Sequence, residues 1–212
     1  MNLFDSYNFK NRDTLPPGIS PQVCKHTTIF NNCIYVGGIS NELYAPEIFI
    51  EAVKSINESG KLKLTFTLVC REKELSDSYG IKKYLDEEWL NVVHTSDQNV
   101  LRDLYAKADF GISALKKTPY AHLCMPIKLG EYLSNGLPLI TTDCVAIKEF
   151  VDDNKCGILC SDNGYSAKQA ILEFYTKEEE RLELYKNVEK TVLKNGWVSR
   201  VEKILNDLSK VK

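Results

Sequence analysis

From residue 31 almost to its end, the chain alternates between short apolar runs and segments with helical spacing. Six runs have strand length: "NCIYVGG", "LTFTLVC", "LNVVHT", "FGISAL", "LPLITTD" and "CGILC". Between them lie stretches with a 3.6-residue apolar period. "APEIFIEAVKSINES" carries Ile48, Ala52, Val53 and Ile56 on one face. "QNVLRDLYAKA" carries Val100, Leu101, Leu104, Tyr105 and Ala108, with Ser96 or Asp97 available as a cap. A helical "KELSDSYGIKKYL" and "VAIKEFVDDN" fill two further gaps. Strands that read as near-continuous apolar runs are buried on both faces, as parallel strands are. Short connections between alternating strands and helices predict a doubly wound, Rossmann-like α/β domain. Its single parallel sheet has about six strands, flanked by helices.

The rest of the chain frames this unit. "TLPPGISPQ" concentrates three prolines, so residues 1–30 are expected to be a linker or edge segment. Residues 31–195 form the expected domain, with a charge-rich helical tail, "TKEEERLELYKNVEK", near its end. Residues 196–212 form a last amphipathic helix behind Trp197. At 212 residues the chain suffices for one full-sized domain. A net charge of -2 argues against a nucleic-acid partner. The seven cysteines include Cys33, Cys70, Cys144, Cys156 and Cys160 in apolar surroundings, and they read as reduced, buried thiols. No Cys/His cluster has zinc spacing, and no metal is expected. No stretch has the apolar core of a signal peptide or the length of a membrane span. A cytoplasmic location is expected, with peripheral membrane association through a full enzyme left open.

In open parallel sheets, ligands lie beyond the carboxyl ends of the strands. Four loops qualify. The first holds Gly37 and Gly38, which let a backbone approach a phosphate or simply make a turn. The pattern lacks GxGxxG, so a dinucleotide is poorly supported. The second holds Arg71. The third holds His94, Thr95 and Ser96, which either meet a base or ribose or cap the next helix. The fourth opens "MPIKLGEYLSNGLPLITTD". There Pro126 suits the first turn of a helix whose start favours a phosphate. Lys128, Glu131 and Asn135 come next on one face, with Leu129, Tyr132, Leu133 and Gly136 on the packed face. A lysine near a helix start can neutralise a diphosphate, and a carboxylate one turn on can accept two ribose hydroxyls. Spacing alone favours the simpler reading, an i,i+3 ion pair.

That stretch resembles the nucleotide-sugar motif of retaining GT-B glycosyltransferases of the family 4 type. The residues that carry the likeness are Pro126, Lys128, Glu131, Tyr132, Gly136, Pro138, Leu139 and Ile140. Other segments fall in the family's order. "LPPGIS" resembles the interdomain connection, and "IYVGGIS" the first strand and glycine turn. "VVHTSDQNVLRDLYAKADFGISAL" resembles the base-binding loop, its helix and the next strand. "AIKEFVDDNKCGILC" and the Trp197 helix resemble the later segments. The resemblance implies one half of a GT-B fold, the donor-binding half. Glu131 would hold the donor ribose, His94 to Ser96 the base, and Gly37 and Gly38 the phosphate side. Lys128 would supply diphosphate charge, with Arg71 at the same edge.

Two positions depart from the family pattern. Leu123 stands where many relatives have a second glutamate near the donor sugar. Gly38 and "NELYA" stand where many have Arg and Lys. The implied activity is transfer of a hexose from a nucleoside-diphosphate sugar to a glycan or lipid-linked acceptor, as in surface polysaccharide or lipopolysaccharide synthesis. It would need no metal, and its catalytic residue is not identified. An acceptor-binding N-terminal half, as a domain or partner subunit, would complete the enzyme, and this chain alone would be inactive. Two alternatives are a non-catalytic nucleotide-binding or assembly module and one half of a GT-B sugar-nucleotide epimerase.

Overall fold

The computed structural model describes residues 18–20, 22, 28–39 and 43–209. Six parallel strands, one for each expected run, form one sheet: β1 (Asn32–Val36), β2 (Thr65–Val69), β3 (Leu90–Val93), β4 (Phe110–Ser113), β5 (Leu139–Thr142) and β6 (Gly157–Cys160). Their order is β3-β2-β1-β4-β5-β6, so the winding reverses between β1 and β4. Crevices for ligands form at the carboxyl ends beside such a reversal.

The helices are α1 (Glu47–Glu58), α2 (Glu72–Asp77), α3 (Tyr79–Lys82), α4 (Gln98–Tyr105), α5 (Ile127–Ser134), α6 (Val145–Asn154), α7 (Gly164–Thr176), α8 (Glu178–Lys194) and α9 (Trp197–Ser209). Alternate residues of β1 serve two cores. Cys33 and Tyr35 pack with Phe49, Ile50 and Val53 of α1 and with Ala170 and Phe174 of α7. Ile34 and Val36 pack with Leu101 of α4, Leu129 and Tyr132 of α5, and Val188 of α8. Burial on both faces is why β1 reads as an unbroken apolar run.

Three expectations need correction. The single helix expected over "KELSDSYGIKKYL" is two short ones. Ser78, at φ -95° and ψ 85°, breaks it, and Ser and Gly80 are weak helix formers. Val100 is exposed, because α4 buries only Leu101 and Tyr105. Asn135 does not share the exposed face of Lys128 and Glu131. It is buried at the end of α5, where its Nδ2 donates to the Glu131 carbonyl at 2.8 Å.

Of the expected linker, residues 1–17, 21 and 23–27 lie outside the described residues, as does Cys24. Ile19 is buried, and its N–H donates to the Asn195 carbonyl at 2.9 Å. Gln22 donates to the Ser134 carbonyl at the end of α5. The described part of the segment is therefore fastened to the domain by backbone bonds. Cys33, Cys70, Cys144, Cys156 and Cys160 are buried free thiols, and Cys124 is half-buried.

Candidate functional site

Four loops meet at the carboxyl edge between β3, β2, β1 and α5. They enclose a cleft of about 830 Å³. Gly37, Gly38, Arg71, His94, Thr95, Ser96 and Lys128 all line it, so seven of the eight expected site residues face one concavity.

The glycine turn after β1 is tied down from every side. The Val36 N–H donates to the Tyr132 hydroxyl at 2.8 Å and the Gly37 N–H to the Val69 carbonyl at 3.1 Å. The Tyr35 hydroxyl donates to the Gly38 carbonyl at 2.6 Å. Neither glycine has positive φ. They serve as glycines for clearance: a Cβ at Gly38 would lie 3.0 Å from the Tyr44 ring, and one at Gly37 would lie 3.2 Å from the Tyr35 hydroxyl. Asn41 and Glu42 of the expected "NELYA" region, and Ser40 before them, lie outside the described residues.

Glu131 stands one turn into α5. Its Oε2 accepts from Lys128 Nζ at 2.6 Å and from the Tyr105 hydroxyl at 3.2 Å. The ion pair read from spacing therefore exists, but both side chains remain open to solvent, at 30% and 35% exposure. Oε1 carries no hydrogen bond among the described residues, so the carboxylate keeps an acceptor edge. Tyr105 was not legible as a site residue, since its period marked it as core. Burial, then the neighbouring Tyr132 and Glu131, hold its phenol well above the ordinary value, so it stays a proton donor. Pro126 offers α5 no side-chain cap, and the Leu129 N–H donates to the Pro126 carbonyl at 3.1 Å, which leaves the Ile127 and Lys128 N–H groups for an anion. Glu131 also lines a second, smaller groove of about 310 Å³ on the other flank of α5, with Ile19, Met125, Phe150 and Trp197. The Lys128–Glu131 pair thus bridges the two concavities.

On the β3 side, His94 Nδ1 lies 2.9 Å from the Cys70 carbonyl. A carbonyl only accepts, so Nδ1 carries a proton and the Nε2 edge of the ring is not used by this bond. Thr95 Oγ1 accepts from the Asp97 N–H, and Asp97 caps α4 through the Asn99 and Val100 N–H groups. Asp97 is therefore the cap, and the Ser96 side chain makes no bond among the described residues. Cys70 lines the cleft, but burial, with the Glu74 charge adding to it, pushes its thiol up to about 11. It is no nucleophile near neutrality.

Arg71 is 87% exposed, with Nη1 3.4 Å from Glu74 Oε1. Glu74 Oε2 accepts the Ile39 N–H of the glycine turn at 2.9 Å. Sequence reading missed Glu74, although it repeats the i,i+3 pattern of Lys128 and Glu131 at another strand end. Leu123 closes a 3-10 turn (Ala121–Leu123) and is exposed. The turn reaches α6 through the Val145 N–H, which donates to His122 Nδ1 at 3.2 Å. Among the described residues, no group of three or more His, Cys, Asp or Glu is placed to hold a metal ion, and no helix is long and apolar enough to cross a membrane.

A single six-stranded parallel sheet wound in this order, flanked by helices, is the Rossmann-like architecture that makes up half of a GT-B fold. The chain belongs to the family described as Glycosyl transferases group 1, whose model matches residues 31–177. It is 28% identical over 109 residues to Glucosyltransferase 3 of Streptococcus parasanguinis, covering 49% of this chain and 32% of that protein. It shares its fold with the pneumococcal O-GlcNAc transferase GtfA, solved with UDP and GlcNAc. There the TM-score is 0.70 at 18% identity, over 94% of this chain and 40% of GtfA. A glycosyltransferase from Rickettsia africae matches with a TM-score of 0.63 at 13% identity, over 86% of this chain and 47% of that one. The chain thus spans about a third of the curated relative and under half of these solved ones.

Proposed function

We propose that the cleft binds a nucleoside-diphosphate sugar and that the chain is the donor-binding half of a hexosyltransferase. The observation that carries this reading is the start of α5. An uncapped helix start, an amine and a carboxylate with a free acceptor edge stand beside a glycine turn at the winding reversal. In this reading the Glu131 Oε1 edge takes ribose hydroxyls. Lys128, Arg71 and the first N–H groups of α5 face the diphosphate, and His94 to Ser96 border the base. These donors would stabilise charge on the departing diphosphate and hold the sugar for attack. The acceptor is a glycan or a lipid-linked glycan of a surface polysaccharide, met at the cytoplasmic face of a membrane. A thermal-shift screen against UDP, GDP, ADP and their sugars tests the donor assignment. One nucleotide series is expected to raise Tm at millimolar concentration, and a flat response across all three would overturn it.

The companion in this reading is a second, acceptor-binding Rossmann-like half. Helix α9 supports it. Trp197, Val201, Ile204, Leu205 and Leu208 share one face, all exposed, and α9 buries no residue against this domain. We expect the companion half to cover that stripe. Leu205→Glu should shift the Tm of this chain by less than about 2 °C while weakening association with the companion at least about tenfold. Undiminished association in a pull-down would detach α9 from that interface.

A further inference from the structure

Among the described residues that line the cleft, Glu74 is the one acid. It sits where a phosphate would be welcome. Its carboxylate holds the Ile39 N–H of the glycine turn with one oxygen and faces the Arg71 guanidinium with the other. The Gly37 N–H is already spent on the Val69 carbonyl. Oε2 also lies 3.4 Å from where a Gly38 Cβ would stand, so the carboxylate rests against the turn itself. A carboxylate and a phosphate oxygen ask for the same partners, a backbone N–H and a guanidinium. The glycine turn therefore already holds an anion of its own. We propose that Glu74 is a resident anion of the donor cleft, which the donor phosphates displace from Arg71 and the Ile39 N–H, and whose charge then loosens the hold on the diphosphate product.

The inference rests on the cleft being the donor site and adds a regulator of affinity to it. The two i,i+3 pairs differ in what they imply. Lys128 and Glu131 can both serve one ligand, the first on phosphate and the second on ribose. Arg71 and Glu74 cannot, because a diphosphate that gains Arg71 meets the negative charge of Glu74. Arg71 is nearly free in solvent and can turn from Glu74 to a phosphate without disturbing the fold. Glu74 is held close, at 18% exposure, and its charge stays beside the site after the exchange.

Inorganic pyrophosphate is the probe, titrated into the wild type, Glu74→Gln and Glu74→Ala by calorimetry, with the Ile39 amide followed by NMR. Glutamine keeps an oxygen for the Ile39 N–H and removes the charge. Both variants are expected to bind pyrophosphate at least about fivefold tighter than the wild type, with the gain shrinking as salt rises to about 500 mM. The Ile39 amide should move in the wild type as pyrophosphate replaces the carboxylate. A Glu74 that only braces the turn predicts the opposite, with weaker binding in the alanine variant and no gain in the glutamine one. Equal or weaker affinity in Glu74→Gln, or no pyrophosphate binding in either protein, overturns the proposal. A parallel titration with UDP and uridine separates the two readings. If UDP binds the wild type no better than pyrophosphate, the nucleoside assignment fails while the Glu74 result stands.

Discussion

Replacing Gly111 with alanine is expected to destabilise the domain by about 3 kcal/mol or more, the upper part of what overpacking costs in a closed core. Gly111 sits in β4 between Ile34 of β1 and Leu139 of β5. The fully buried ring of Tyr132 lies over it, and a Cβ there would overlap the ring. Tyr132 has nowhere to go. Its hydroxyl accepts the Val36 N–H, and its ring meets Tyr105 edge-on at 5.8 Å. In a domain of this size the change corresponds to a fall in Tm of about 6–12 °C. Chemical denaturation measures it, and a double-mutant cycle with Tyr132→Leu identifies the cause. The paired variant should lose clearly less than the sum of the two, because leucine frees the space above β4. Additive losses would mean that the ring is not what excludes a side chain at 111. The same contact would carry into function: a displaced Tyr132 drags the Val36 N–H, and with it the glycine turn of the cleft.

Glu131→Ala is expected to weaken binding of the preferred nucleoside diphosphate at least tenfold, or about 1.4 kcal/mol. Stability should change little, since an ion pair a third exposed to solvent contributes at most about 1 kcal/mol. The ligand provides the control. A dideoxynucleotide lacking both ribose hydroxyls should bind the wild type about as poorly as the full nucleotide binds Glu131→Ala, and it should lose nothing further in the variant. A full tenfold loss with the dideoxy ligand as well would place Glu131 on some other group. Tyr105→Phe isolates the support for the carboxylate. It removes the hydroxyl that orients Oε2 while leaving Lys128 in place.

The sheet was legible in the sequence because parallel strands buried on both faces leave long apolar runs, and every such run became a strand. The glycine turn, the β3 loop and the start of α5 were legible for a different reason. A parallel sheet puts all its strand ends on one edge, so residues distant in the chain converge there. What the sequence concealed depends on side-chain direction. Asn135 comes after Glu131 at helical spacing yet turns inward, because α5 ends there and its last carbonyls need a partner. Tyr105 counted as core by period, yet its hydroxyl reaches the edge of the site. Glu74 lay in a segment read as one helix. Its carboxylate meets the glycine turn because α2 begins directly after β2, with Glu74 in its first turn. Gly111 carried no signal at all, since a lone glycine in a strand does not announce the ring above it.

A nucleotide held between the glycine turn, the β3 loop and α5 would leave its mark on the backbone amides there. Amide NMR of the chain, titrated with its preferred nucleoside diphosphate, reads those amides one by one. The largest shifts are expected on Gly38, Ile39, Thr95, Ser96, Lys128 and Glu131. Shifts confined to the smaller groove around Ile19, Phe150 and Trp197, or scattered over the surface without saturation, would contradict a nucleotide in this cleft.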